Sequence, residues 1–338
     1  MKTSLKNIAD TLKLSKTTVS WVLSGVGDKK GISKETQQRV LKCAKELNYE
    51  PNLLARGLNT GLSGTIGLIL PSISDTFYSK VATEVEKAAD KLGYSIMISS
   101  SNSEIEKEDK IVRLFKAKQV DGIIMAPTKV SKVETQKLIK QHYPFVLFDR
   151  YFHELDTNYV IIDNEESSYK LVSHIIKKGF KKIAIVTTNP HLRTLNMRRE
   201  GYARALMEAG IEVNRDLYVE VPYVNYEENL HRLLDQLFKE VPDVDGFFFA
   251  THILALEAFN YFFEKGIDIN NGKYGLACIH DADLFKVLAP KMNYARMPIE
   301  EIGKNVVRLL TTAINAKQQQ TNAPREGVVL PCKLHFKD

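Results

Sequence analysis

"SKTTVSWVLSG", residues 15–25, sets a lysine, two threonines and three serines around a tryptophan on what reads as one short helix. Ser15 is a residue type that accepts from a first-turn amide, and Gly25 is a residue type that ends a helix. Val19 and Val22 point to one side, while Lys16, Thr17, Ser20 and Trp21 share the other. The flanking sequence supplies partners for the apolar side. Ser4 caps a preceding helix with Leu5, Ile8, Ala9 and Leu12 at helical spacing, and "KLS" makes the turn. After the loop "GVGDKKG", Ser33 caps a third helix with Val40, Ala44 and Leu47 inward and Thr36, Gln37 and Arg39 outward. Pro51 closes it. The polar side of the second helix has the character of a surface that touches something large and polar. The plainer alternative for Trp21 is an aromatic bracing the helix pair.

The placement of charge favours the first reading. Of 47 Lys and Arg and 41 Asp and Glu, residues 1–60 hold eleven and five, so the rest of the chain holds 36 of each sign. The whole excess of six positive charges lies in the amino-terminal segment, where a polyanion would be attracted in a salt-dependent way. Nucleic acid fits this better than a membrane surface, because the segment lacks a long continuous apolar face. No run of about 18 apolar residues exists, and Met1–Leu14 has no signal-peptide pattern, which points to a cytoplasmic protein without a membrane partner. Cys43, Cys278 and Cys332 lack metal-ligand spacing and read as reduced, buried thiols.

"PNLLARGLNTGLSG" follows as a Gly-interrupted apolar stripe that reads as a linker folding against a partner. From Thr65 on, apolar runs alternate with amphipathic helices. "TIGLILP", "YSIMISS", "VDGIIMAP" and "FVLFDR" alternate with helices near 78–92, 104–118 and 131–141. A second series begins with "YVIID" and runs through "KKIAIVTT", "YVEVPYV", "DGFFFAT" and "YGLACIHD". Its helices lie near 165–178, 197–209, 227–239 and 253–265. Runs this continuous belong to parallel sheets covered on both faces, so the fold class is α/β: two Rossmann-like units behind a helical headpiece. Strand-end loops of two such units face a cleft, the usual place for a small ligand. A helix near 299–316 and the closing "GVVLPCKLHF" return the chain to each unit in turn.

The stretches "SLKNIADTLKLSKTTVSWVLSG" and "VLKCAKELNYEPNLLARGLNTGLSGTIGLILPSISDTFY" resemble the amino-terminal signature of the lactose/galactose repressor (LacI/GalR) family of bacterial transcription regulators. The resemblance continues more loosely to "EEIGKNVVRLL" and the closing strand. It implies a helix-turn-helix headpiece over 1–49, a hinge over 50–62 and a two-lobed, periplasmic-binding-protein-like effector and dimerisation domain over 63–338. The amino-terminal lobe is expected at 63–160 plus 292–320, and the carboxy-terminal lobe at 161–291 plus 321–338. A homodimer on a near-palindromic double-stranded operator is implied, with dimer contacts near Lys80–Asp90. The positions of Lys16, Thr17 and Trp21 contact base edges in the family, and Ser20 shares their face. Trp21 replaces the usual arginine, so a bidentate guanine contact is lost. The lysines of "GVGDKKG" can add phosphate contacts. Leu58 matches the family's minor-groove wedge, and Ala55 lets paired hinge helices approach.

For the cleft, the resemblance brings Asp75, Phe77 and Tyr78 of "PSISDTFY" to the pocket and gives Arg198 of "RREGYARAL" the role of gripping the effector. Arg150 is a strand-end arginine beside Asp149, suited to hydroxyls or an anionic group. His252 stands where an aspartate commonly binds sugar hydroxyls. His280 replaces the first aspartate of the usual "GFDD", with Cys278 in place of its glycine. Fewer carboxylates and two arginines tilt the expectation toward a sugar phosphate or sugar acid over a neutral sugar. The sequence contains no "GxSxG" elbow, P-loop, "GxGxxG" after a strand or "HExxH", so no catalytic residue, cofactor or metal is expected. A periplasmic sugar-binding protein would explain the two lobes but not the basic headpiece.

Overall fold

Three serines start three helices in the amino-terminal unit. Ser4, Ser15 and Ser33 each accept from a backbone amide three residues on, opening α1 (Leu5–Leu12), α2 (Lys16–Leu23) and α3 (Lys34–Glu46). Lys13 closes α1 in the left-handed conformation, turning the chain directly into α2. Ile8, Ala9, Val19, Val22, Val40, Cys43 and Ala44 form the shared core, as the spacing predicts. Leu47 is the exception: it caps α3 and is 37% exposed. Gln37, expected to face outward, instead donates to Asp28 Oδ1 at 2.8 Å and to the Ile32 carbonyl at 2.7 Å, tying down the loop between α2 and α3.

The computed structural model describes residues 4–49, 61–128, 132–188, 193–222, 224–321 and 323–337. The hinge residues Ala55 and Leu58 lie outside them. The chain divides into two units, 1–63 and 64–338.

In the second unit, apolar runs form two six-stranded sheets. The first contains β1 (Thr65–Leu70), β2 (Ser95–Ser100), β3 (Gly122–Met125), β4 (Phe145–Phe148), β5 (Tyr159–Ile162) and β11 (Gly327–Leu330) in the order β2-β1-β3-β4-β5-β11. The second contains β6 (Ile183–Thr188), β7 (Tyr218–Val221), β8 (Gly246–Phe249), β9 (Gly275–Ile279), β10 (Asn293–Arg296) and β12 (Lys333–His335) in the order β7-β6-β8-β9-β10-β12. Every pairing is parallel except β10 with β12. The helices are α4 (Thr76–Asp90), α5 (Ile105–Ala117), α6 (Lys132–Lys140), α7 (Asn164–Lys177), α8 (Arg193–Glu208), α9 (Tyr226–Glu240), α10 (His252–Glu264), α11 (Phe285–Leu288) and α12 (Ile299–Gln318). α12 lies against α4 and against β3, β4 and β5, while α10 covers β6, β8 and β9.

Three assignments of strands to lobes need correction. "YVIID" does not open the second series: Tyr159–Ile162 lies in the first sheet between β4 and β11. Asn293–Arg296, placed with the first lobe, pairs with β9 in the second. Within 321–338 only Lys333–His335 belongs to the second lobe, because Gly327–Leu330 pairs with β5. The chain therefore passes between lobes after β5, after β10 and again between β11 and β12. An apolar run announces burial in a sheet but carries no mark of which sheet, so the crossings were invisible to periodicity.

Trp21 is the chain's single tryptophan, so its fluorescence reports the headpiece alone. Val19 is fully buried there. Val19→Ala should cost the headpiece about 2 kcal/mol in urea unfolding followed by that fluorescence. Circular dichroism of the two-lobed unit should keep its midpoint.

Candidate functional site

The headpiece presents one polar face. Lys16 and Thr17 are exposed, Ser20 is half-buried, and Trp21 is 37% exposed on the side away from buried Val19 and Val22. The Lys30 ammonium lies 5.2 Å from the Trp21 ring centroid, a cation–π contact that brings a loop lysine onto the helix face.

In the second unit, strand ends of both sheets open on a cavity of about 600 Å³. Asp75 ends the loop after β1 and caps α4, accepting from the Phe77 amide at 2.8 Å. Phe77 and Tyr78 follow on the first turn of α4, both buried. The Tyr78 hydroxyl donates to Asp149 Oδ2 at 2.7 Å, and burial raises its pKa well above the usual phenol value. Asp149 and Arg150 continue from β4. Arg150 Nε lies 3.7 Å from Asp149 Oδ2, and its Nη1 donates to Ser103 Oγ at 3.4 Å. Asp149 holds φ of 59° and His280 holds 80°, a left-handed backbone that costs a non-glycine residue about 1 kcal/mol or more. Both residues line the cavity.

Arg198 is the most buried cation of the site, at 2% exposure. Its Nε donates to Asn164 Oδ1 at 2.7 Å and its Nη1 to the Ala250 carbonyl at 2.6 Å. Among the described residues its Nη2 has no hydrogen-bond partner, and the residue lines the cavity. Burial lowers its pKa and Asp149 pulls the other way, yet a guanidinium keeps its charge. Gly201 makes this placement possible. A Cβ there would lie 2.1 Å from the Glu165 carbonyl, so only glycine lets α8 approach α7 closely enough for Arg198 to reach Asn164.

His252 starts α10 and His280 directly follows β9. Their Nδ1 atoms lie 3.0 Å apart, and His252 Nε2 lies 3.4 Å from Asp75 Oδ1 across the cleft. Phe77 packs on the His280 ring at 4.9 Å. Burial holds His280 well below the usual histidine pKa, with Arg198 and His252 pushing the same way. Among the described residues these groups form no cluster able to hold a metal.

Asp75, Phe77, Tyr78, Arg150, Arg198, His252 and His280 thus all line one cavity. Asn164 was not foreseen as the anchor of Arg198, although its place directly after a strand is a signal. Tyr226 and Glu257 also line the cavity and were missed, since both sit within ordinary amphipathic helices.

Two outcomes follow. Gly201→Ala should cost about 1–3 kcal/mol in chemical unfolding of the two-lobed unit, because backbone and not a flexible tip is in the way. His280 has a folded pKa below the unfolded value near 6.5, so the unfolded chain binds the proton first and stability falls as pH drops through that window. Between pH 7.5 and 5.5 His280→Phe should lose less stability than the parent chain, by up to about 1.4 kcal/mol per unit of the window, read from urea midpoints.

Two family models match the chain: residues 4–52 match bacterial regulatory proteins of the lacI family, and residues 63–326 match periplasmic binding proteins and the sugar binding domain of the LacI family. The ribose operon repressor of Halalkalibacterium halodurans is 30% identical over 323 residues, covering 94% of this chain and 92% of that protein. The fold is similar to a lac repressor dimer bound to operator and the anti-inducer ONPF, with a TM-score of 0.82 at 20% identity over 99% of this chain and 98% of that one. It is similar also to the Cra dual regulator of Pseudomonas putida in complex with fructose 1-phosphate, with a TM-score of 0.71 at 21% identity over 81% and 98% of the two chains. Among the described residues no helix is long and apolar enough to cross a membrane. Family models over both units and a repressor matched along nearly its full length lead to one conclusion: this chain belongs to the LacI family of bacterial regulatory proteins, DNA-binding transcriptional regulators rather than enzymes.

Proposed function

We propose that the protein is a homodimeric repressor of carbohydrate-metabolism genes whose grip on a near-palindromic operator is set by a sugar or sugar phosphate in the cleft. The observation that carries the reading is the pairing of an outward polar face on α2 with a cavity in the second unit lined by charged side chains. Lys16, Thr17 and Ser20 supply the hydrogen-bonding groups that read a major groove. Trp21, lacking a fork of donors, packs on a thymine methyl or a sugar, and Lys30 beside it reaches a phosphate. Leu58 would wedge the minor groove and Ala55 would let two hinge segments pair. Relatives support the ligand class, since the names above include a ribose operon repressor and a complex with fructose 1-phosphate. Arg198 and Arg150 offer donors to ring hydroxyls or an anionic group, and Asp75 and Asp149 offer acceptors.

Recovery of genomic DNA by the purified chain tests the operator half directly. The full chain should enrich a small set of near-palindromic fragments, and with about six phosphate contacts its affinity should fall about a thousandfold between 50 and 200 mM salt. Leu58→Ala should weaken binding about tenfold or more without changing the fragments chosen. A chain beginning at Gly61 that enriched the same fragments would refute the assignment.

A further inference from the structure

The contact between two histidines in the cleft has consequences for the protons they carry. One proton must lie between the two Nδ1 atoms for a 3.0 Å hydrogen bond to exist. Asp75 decides which ring owns it. Its carboxylate faces His252 Nε2 at 3.4 Å and favours a proton on that nitrogen. A neutral His252 with Nε2–H has a bare Nδ1, so His280 must donate from its own Nδ1. His280 Nε2 is then a bare acceptor. That atom is buried and has no hydrogen-bond partner among the described residues, although His280 lines the cavity. A buried acceptor left alone is costly, and a ligand hydroxyl reaching it from the cavity would supply its partner.

From this geometry we infer that Asp75, His252 and His280 form a one-proton relay that sets the polarity of the group facing the ligand. In the neutral relay, His280 Nε2 accepts from a ligand hydroxyl. When one solvent proton is taken up at His280 Nε2, the proton on His280 Nδ1 passes to His252 Nδ1. The bonds then balance: His252 carries two N–H groups and the positive charge beside Asp75, and His280 remains neutral with Nε2–H as a donor. The neutral relay thus fits a neutral polyol, and the protonated relay fits an oxyanion. This inference rests on the cleft being the ligand site.

The surrounding charges decide when the switch operates. Facing the pair are the Arg198 guanidinium on α8, the Asp75 carboxylate at the cap of α4, the Tyr78 hydroxyl, and Asp149 with Arg150 after β4. The Cys278 thiol on β9 is held protonated by burial. Glu257 on α10 is engaged with His231 at 2.8 Å. Arg198 and burial both oppose a positive charge on His280, and Asp75 is the carboxylate at close range to His252. An anion arriving beside Arg198 supplies the missing counter-charge, so its binding draws in a proton. A neutral sugar supplies none and binds without one.

The test uses the full chain labelled with ¹⁵N-histidine. At pH 7.5 without ligand, long-range proton–nitrogen spectra should show His280 protonated at Nδ1 and bare at Nε2, with His252 protonated at Nε2. On acidification both rings should report one shared midpoint, because a single proton rearranges both. Asp75→Asn keeps the helix cap but removes the carboxylate, and should lower that midpoint by at least about one pH unit. His280 found with Nε2–H at pH 7.5, or a midpoint unmoved in Asp75→Asn, overturns the relay. Calorimetry in two buffers of different ionisation enthalpy then reads the ligand side. D-gluconate, which does not itself titrate near neutrality, should bind with uptake of a substantial fraction of a proton, and D-ribose with none. Equal uptake for both contradicts the switch. Spectra as expected with no heat from either sugar would uphold the relay and count instead against the assigned ligand class.

Discussion

A guanidinium stripped of water, and among the described residues hydrogen-bonded to no carboxylate, is the constraint around which the cleft is arranged. Arg198 is held by an amide oxygen and a backbone carbonyl, neither of which cancels its charge. Burying a charge in this way is unfavourable unless something electron-rich completes its shell. The fold meets the requirement partway, through Asp149 on the far side of the cavity and through the oxygens at the ends of β8 and α7. Among the described residues Arg198 Nη2 has no hydrogen-bond partner, and the residue lines the cavity. Gly201 brings α8 against α7, the turn after β5 sets Asn164, and the end of β8 turns the Ala250 carbonyl inward. One side chain therefore ties together the starts and ends of elements separated by some eighty residues.

The two lobes are joined by three crossings, and contacts also bridge the cleft itself. Asp75 meets His252, and Lys80 on α4 lies 3.7 Å from Asp283 beyond β9. Contacts that differ between two arrangements of a pair of lobes are the physical requirement for a ligand to bias an equilibrium. The differential needed is modest, about 1–3 kcal/mol between two states.

Much of this was legible in the sequence, and for stated reasons. Ser4, Ser15 and Ser33 announced three helices because a hydroxyl before an apolar-periodic run satisfies orphan amides whatever the tertiary context. The sheets were legible because runs such as "TIGLIL" and "GFFF" have no wetted face. The lobe to which a strand belongs was not, since β5 and β10 carry the same apolar signal as their neighbours. The cleft residues could be located one at a time from strand ends. Their pairing could not, because the hydrogen bond between His252 and His280 joins the start of α10 to the residue after β9, 28 positions apart, where His280 holds a left-handed backbone. Gln37 was misplaced for a similar reason, as its partner Asp28 lies in a loop whose path follows no periodic rule. Of the three thiols, Cys43 and Cys278 are buried as expected, whereas Cys332 is only partly covered between β11 and β12.

Arg198 would couple a ligand in the cleft to operator binding by the headpiece. The direct measurement is operator affinity by fluorescence anisotropy, with and without saturating cleft ligand, for the parent chain and for Arg198→Lys. The parent should show a ratio of at least about fivefold between the two conditions, in either direction. Arg198→Lys should bind operator as the parent does without ligand and show a ratio near one. An unchanged ratio in Arg198→Lys would mean that the signal does not pass through the buried guanidinium.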